Sequence, residues 1–294
     1  MTDSQKGAAC AFLSYLCWGS MPVYWKALAH VSSFVILCNR VLWSAVFTIM
    51  VIAGARMWST GAAFAAKNKR QTLWLVVGGF LITFNWGLYI WAINDGRILE
   101  TSLGYYINPL VSMCFGMLFF GERMRRAQVA ALLLALAGVL VQVFYLGEVP
   151  LVSLGLALSF GLYGVLKKAV AVSPPIGLFI ETISVAPAAL LWLWYMQRTG
   201  EATYPYDMWT YLLLAGTGIM TSVPLFLFAY ATKRIELTAL GFIQFVSPTM
   251  TFLIGTLIYH EPLSPIRTLT FVLIWSAVAV YCADKIYLAR RETH

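Results

Sequence analysis

Two charged side chains interrupt long apolar runs of this sequence. Arg40 lies within residues 33–54, and Glu181 lies within residues 175–196. A charge at the centre of a membrane helix costs on the order of 2.5–3.5 kcal/mol, so such residues usually face a cavity or a partner. Arg40 could anchor an anionic or carbonyl group of a ligand, or could clamp two helices together. Glu181 could bind a proton or a cation, or could be satisfied by nearby hydroxyl and backbone groups.

A second set of polar side chains recurs at helical spacing. Asn85 and Tyr89 are four residues apart and therefore share one face of a helix. Such stripes can line a cavity with a few orienting hydrogen bonds. They can equally join two helices, at about 0.6 kcal/mol per contact. The predicted cavity-lining residues are Asn85, Tyr89, Tyr105, Asn108, Ser112, Gln244 and Ser247.

Prolines fall in the middle of two apolar runs. Pro109 and Pro248 each remove one helical hydrogen bond and leave a carbonyl group free. Paired breaks at corresponding positions indicate a hinge or a binding site, and harmless kinks are the alternative. Glu122, beside Arg123, is predicted to support a turn at a helix end, with a role in gating as the alternative.

The composition places these residues in a membrane. Of the 294 residues, 61% are hydrophobic and 11% are charged, and the mean hydropathy is +0.78. Soluble domains carry about 25% charged residues, and a soluble fold of this length could not hide so much apolar surface. We therefore predict an all-α membrane protein and exclude a cytosolic enzyme or a nucleic-acid-binding protein.

The sequence contains no motif of an enzyme active site or of a nucleotide-binding loop. The five cysteines all lie in apolar runs, where cysteine behaves as a small hydrophobic residue. We accordingly predict no cofactor, no metal site and no enzymatic activity.

Ten apolar runs are long enough to cross a bilayer, which takes about 20 residues. They cover residues 8–27, 33–54, 73–93, 100–120, 127–146, 150–168, 175–196, 209–231, 238–259 and 266–288. With a cytoplasmic N-terminus, 15 of the 20 Lys and Arg residues fall in cytoplasmic segments and four fall outside, while Arg40 lies within a span. Cytoplasmic segments are the basic ones, so both termini are predicted to be cytoplasmic.

This orientation argues against a direct pair between Arg40 and Glu181. Arg40 enters from the outer side and Glu181 from the cytoplasmic side, each about 10 Å deep at about 1.5 Å per residue. A hydrocarbon core about 30 Å thick leaves about 10 Å between them.

The two halves of the sequence resemble each other. Residues 88–104 align without a gap on residues 225–241, with identical residues at Arg97 and Arg234 and at Gly104 and Gly241. The unit is five helices, an odd number, so the second copy enters the membrane from the opposite side. The chain is therefore predicted to contain two inverted-topology repeats, residues 1–146 and 147–294, as in many secondary transporters.

Three motifs carry a resemblance to a known family. They are NWGLYIWAINDGRILETSLGYYINPL at residues 85–110, FFGERM at 119–124 and YHEPLS at 259–264. The whole chain resembles the EamA-type permeases of the drug/metabolite transporter superfamily, and most closely their RarD subfamily. The resemblance implies ten helices, two EamA repeats, a multi-pass protein of the bacterial inner membrane, and transport of small metabolites or drugs.

These observations together predict a secondary active transporter that works by alternating access. Coupling to protons, the direction of transport and the choice between monomer and homodimer stay open. The expected partners are a small-molecule substrate and the lipid bilayer, without nucleic acid. The alternatives are a passive facilitator or channel and an intramembrane enzyme that acts on a lipid-linked substrate.

Overall fold

The computed structural model describes residues 1–95, 97–147, 150–200, 205–258 and 265–292. These residues form helices and short links, with no β-strand among them. The helices are α1 Asp3–Ala27, α2 Ser33–Gly54, α3 Trp58–Lys67, α4 Lys69–Asn94, α5 Ile98–Phe120, α6 Arg126–Leu146, α7 Leu151–Ala169, α8 Pro174–Thr199, α9 Met208–Thr232, α10 Leu237–Gln244, α11 Val246–Leu253, a π-helical segment Ile254–Ile258, and α12 Pro265–Glu292. The all-helical membrane architecture is confirmed.

Nine helical segments among the described residues are long and apolar enough to cross a membrane, with α10, α11 and the π-helical segment counted as one. The remaining predicted span is α1, whose 25 residues are also long enough to cross. The short helix α3 was not expected from the sequence. The YHEPLS motif at 259–264, with Glu261, lies outside the described residues.

The ninth predicted span is broken, and Pro248 supplies the reason. The sequence predicted one run over 238–259, but α10 ends at Gln244 and α11 begins at Val246. Proline has no backbone N–H, so the carbonyl of the residue four positions earlier, Gln244, has no helical donor. In contrast, α5 runs unbroken through Pro109.

Helices of one repeat pack on helices of the other in matching pairs. The contact between α2 and α9 corresponds to the contact between α8 and α4. In the same way, the contact of α1 with α10 and α11 corresponds to the contact of α7 with α5. Gly19 lies against Met250 in the first of the latter contacts, and Gly161 lies against Val111 in the second. These glycines let the helices approach closely. The two-repeat organisation is therefore visible in the packing itself.

The basic helix ends meet at one end of the bundle, which we call the basic end. Gly7 near the start of α1 lies against Arg234 after α9, and Arg125 before α6 pairs with Asp284 of α12 at 3.7 Å. Gln71 of α4 accepts a hydrogen bond from the Ala171 backbone after α7. By the preference of basic residues for the cytoplasmic side, this end faces the cytoplasm.

Candidate functional site

A cavity of about 140 Å³ lies between the two repeats. Its wall comes from α1, α2, α4 and α5 of the first repeat and from α7, α10 and α11 of the second. It lies within about three helical turns of the end opposite the basic end, because α5 begins there and contributes Tyr105 and Asn108. The wall includes these residues from the predicted set: Arg40, Asn85, Tyr89, Tyr105, Asn108, Gln244, Ser247 and Pro248.

Asn85 both lines the cavity and joins two helices. Its Nδ2 donates to the Leu156 carbonyl and to the Ser159 hydroxyl, each at 2.8 Å, so it ties α4 to α7. Tyr89, one turn further along α4, meets Tyr105 of α5 edge to face with ring centroids 5.6 Å apart. The two alternatives drawn from the sequence for this stripe, cavity wall and interhelical contact, therefore coexist.

Ser112 does not line the cavity but supports a residue that does. Its hydroxyl donates to Gln244 Oε1 at 3.3 Å, and the Tyr15 hydroxyl donates to the same atom at 3.4 Å. This contact joins α5 and α1 to the end of α10, at the break beside Pro248. Asn108 is buried on the cavity wall, and its Oδ1 has no hydrogen-bond partner among the described residues.

Arg40 extends from α2 to the cavity between two indole rings. Its guanidinium carbon lies 4.1 Å from the Trp86 ring centroid and 4.8 Å from that of Trp25. Its Nε donates to the Thr221 hydroxyl of α9 at 3.2 Å. The side chain is nearly buried, and none of the described carboxylates forms an ion pair with it.

Glu181 lies outside this cavity, in a buried ion pair that the sequence did not reveal. Its Oε1 is 2.6 Å from Lys167 Nζ, and its Oε2 accepts from the Tyr163 hydroxyl at 3.1 Å. The Lys167 and Glu181 side chains are only 4% and 3% exposed. The side chain of Lys167, one of the basic residues counted above in the cytoplasmic segments, is thus buried in the last turn of α7 against Glu181 of α8. The one signal of this ion pair in the sequence is that Glu181 has no Lys or Arg in its own span, residues 175–196. A buried carboxylate of this kind indicates a basic partner on another helix.

A small second cavity adjoins this pair. It measures about 20 Å³, and its wall includes Glu181, Thr221 and Trp86. Trp86 therefore belongs to both cavities, and Thr221 contacts Arg40 on one side while it faces the Glu181 cavity on the other. Arg40 and Glu181 therefore do not touch each other, and Trp86 and Thr221 lie between their two cavities.

An aromatic cluster forms the floor of the large cavity. Trp18 packs edge to face on Phe160 at 5.6 Å and against Tyr15 at 5.4 Å. Phe228 joins the cluster and stacks on Tyr163, with ring centroids 5.9 Å apart. These rings come from α1, α7 and α9 and fill the space between the large cavity and the Lys167–Glu181 pair. Sequence reasoning missed the cluster because aromatic residues in apolar runs carry no positional signal.

The basic end is closed by a contact between the repeats at Glu122. The two carboxylate oxygens accept the backbone N–H groups of Leu237 and Thr238, each at 2.8 Å, which caps α10. Lys168 Nζ lies 3.0 Å from Oε1 and also donates to the Ile235 carbonyl. Glu122 therefore does more than support its own turn, because it fastens the loop after α5 to the start of α10.

Replacing Glu122 with glutamine is expected to lower stability by about 1–2 kcal/mol, the usual cost of losing a helix cap. Burial raises the pKa of Glu122, but the Thr238 and Leu237 N–H groups and Lys168 outweigh burial and lower it below 4.5. A lowered folded-state pKa means that the contribution is complete above about pH 4.5 and is lost as the pH falls through the folded value. Thermal unfolding of the detergent-solubilised protein from pH 7 to pH 4 tests this. A variant with the same pH dependence as the parent would contradict it.

Comparisons with known proteins agree with this architecture. The sequence matches the EamA-like transporter family over residues 5–144 and 149–282. It is 40% identical over 286 residues to the uncharacterized transporter YojE of Bacillus subtilis, covering 97% of this chain and 96% of that protein. It is 39% identical over 292 residues to protein RarD of Escherichia coli, covering 99% and 98%.

A solved crystal structure of a protein that is 18% identical in sequence shares the fold. It aligns with a TM-score of 0.73 over 93% of this chain and 96% of the other. The family match, the relatives named as transporters and the bundle of apolar helices identify a multi-pass transporter of the bacterial inner membrane. The chain belongs to the EamA-like transporter family.

Proposed function

We propose that this protein is a secondary active transporter of small organic molecules and that the cavity between the repeats is its substrate site. The observation that carries the proposal is that the path from the cavity toward the basic end is closed. The cavity lies near the end opposite the basic end, and the aromatic cluster and the Glu122 contact close the path toward the basic end. A path that is closed on one side of the site is what alternating access requires of one of its two states.

The same geometry supports a proposal for the moving parts. The units that rock against each other are residues 1–146 and 147–294. The hinge is the break at Pro248, which lies on the cavity wall and leaves α10 and α11 as separate segments. Pro109 is the weaker hinge of the two, since α5 is continuous through it. In the inward-open state, the contact of Glu122 with α10 has to break.

Proton coupling through Glu181 is the coupling mechanism that we propose. A proton that reaches Glu181 would neutralise the carboxylate and release Lys167, which is 2.6 Å away. The 20 Å³ cavity beside Glu181 is about large enough for one water molecule. Substrate in the large cavity would act on this pair through Trp86 and Thr221, which contribute to both regions. A passive facilitator lacks this linkage and would show transport independent of a pH gradient.

Accessibility of the cavity tests the proposal without knowledge of the substrate. Asn108→Cys, in a background without the five native cysteines, is expected to react with a membrane-impermeant thiol reagent from the outer face of the membrane. Reaction from the cytoplasmic face should be at least about tenfold slower, since the minor conformation of a two-state protein is commonly 0.1–10% populated. Right-side-out and inside-out vesicles supply the two faces.

The control is Ser222→Cys on α9, a fully buried position outside the cavity. It should resist the reagent from both faces. Equal reactivity of Asn108→Cys from both faces would favour the channel alternative. No reaction from either face would refute the cavity as an access site.

A further inference from the structure

The large cavity carries one charged side chain on its described wall, and that charge is positive. Aromatic and small polar residues make up the remainder of the described lining, and no carboxylate is among them. Glu181, the other charged residue singled out from the apolar runs, is engaged with Lys167 at 2.6 Å. The described wall of the cavity therefore carries a net positive charge, which favours an anionic ligand.

The surroundings of Arg40 leave its hydrogen-bonding edge available. Trp25 and Trp86 cover the guanidinium at 4.8 and 4.1 Å from its carbon, and Nε is occupied by Thr221. The two terminal amino groups form no hydrogen bond with any described residue, and Arg40, which is 8% exposed, lies on the cavity wall. Their four N–H donors are arranged as the fork that binds a carboxylate with two parallel hydrogen bonds.

The titratable neighbours of Arg40 are the phenols of Tyr89 and Tyr105, which are neutral at pH 7. A nearly buried charge without a counterion is costly, and an anion that enters the cavity removes that cost. The contact with Thr221 already joins α2 to α9 and uses only Nε of Arg40. A role in joining helices therefore does not account for the two terminal amino groups.

We propose that the substrate is a small organic anion whose carboxylate binds the terminal amino groups of Arg40. This deepens the proposed function and rests on it. The body of the substrate is flat and apolar and packs among Tyr89, Tyr105 and Trp18. The volume of about 140 Å³ resembles that of a cavity that holds a benzene ring, about 150 Å³.

The test compares benzoate with benzamide, which share a ring and differ in charge. Binding to the full-length, detergent-purified protein is measured by titration calorimetry at pH 7 in a buffer low in chloride. Benzoate is expected to bind, and benzamide to bind roughly 10- to 150-fold more weakly, the range for losing a hydrogen bond to a charged group. This comparison needs no substitution and so does not depend on a variant folding correctly.

Two substitutions of Arg40 then test the residue itself. Arg40→Gln is expected to abolish the preference for benzoate, and Arg40→Lys to keep the charge but lose the paired hydrogen bonds and bind with intermediate affinity. Arg234→Gln is the matched control, because Arg234 lies at the basic end, stacked over Tyr230. It should leave the affinity for benzoate unchanged. The unfolding temperature of each variant reports separately on a purely structural role.

Equal affinities for benzoate and benzamide, no binding of benzoate, or unchanged benzoate binding by Arg40→Gln would each overturn the anion proposal. The reactivity of Asn108→Cys distinguishes this failure from failure of the proposed function. If that residue reacts from the outer face while benzoate does not bind, the transporter proposal stands and the anionic substrate class is wrong. If it reacts from neither face, the cavity is not the substrate site and both proposals fall.

Discussion

Replacing Lys167 with methionine is expected to destabilise the protein by about 3–5 kcal/mol, the cost of leaving a buried charge without its partner. The Lys167 and Glu181 side chains are 4% and 3% exposed, and their charged atoms are 2.6 Å apart. Methionine removes the positive charge, and Tyr163 is then the remaining hydrogen-bond partner of the carboxylate. The measurement is the loss of folded, monodisperse protein on heating in detergent, compared with the parent.

The partner substitutions separate charge imbalance from lost packing. Removing both charges together, as in Lys167→Met with Glu181→Leu, should recover most of the stability, because an apolar pair of similar volume is often neutral or better. Glu181→Gln alone should destabilise the protein about as much as Lys167→Met, because it leaves the Lys167 ammonium group buried without its carboxylate partner. Transport by the double variant should nevertheless lose its dependence on a pH gradient. A double variant as unstable as the single ones would show that packing, not charge, dominates at this site.

Gly79→Ala is expected to destabilise the contact between α4 and α8 by about 3 kcal/mol, at the upper end for overpacking. A Cβ at Gly79 would lie 2.6 Å from the Glu181 carbonyl oxygen and 3.1 Å from its Cα. These are backbone atoms, which cannot rotate away as a side chain can, so the helices have to separate. Separation of α4 from α8 also moves Glu181. We therefore expect the dependence of transport on a pH gradient to weaken together with the stability.

The neighbouring glycine supplies the control. A Cβ at Gly78 would meet its nearest atom, Glu181 Oε1, at 3.6 Å, an ordinary contact. Gly78→Ala should therefore be tolerated, and the better helix propensity of alanine adds up to about 1 kcal/mol of stability. Both variants are compared by thermal unfolding under identical conditions. Similar unfolding temperatures for the two would contradict the close approach of α4 and α8.

The polar stripes show how far sequence reasoning reached toward the site. Asn85, Tyr89, Tyr105 and Asn108 were chosen by spacing alone, and all four lie on one cavity wall. Ser112 was chosen by the same rule but lies behind Gln244. Ser112 follows Asn108 by four residues, so it shares the face of Asn108 but lies about 6 Å further along α5. Spacing finds residues that share a face but does not say what that face meets.

The sequence by itself determined the properties that depend on local composition. Apolar runs of about 20 residues require helices in a bilayer, since every backbone polar group must be satisfied within its own segment. The distribution of Lys and Arg oriented them, and the match of residues 88–104 with 225–241 revealed two inverted repeats. The helices, their order and the family resemblance follow from patterns within single spans or between aligned ones.

Only the tertiary structure decided which distant side chains meet. It paired Glu181 with Lys167 instead of leaving the carboxylate alone, and it placed Arg40 between Trp25 and Trp86. It also fastened Glu122 to the start of α10. Each contact depends on the rotation, depth and separation of two helices, to within about one residue. Because the bilayer constrains the length of a span far more tightly than its rotation, these contacts could not be read from the spans alone.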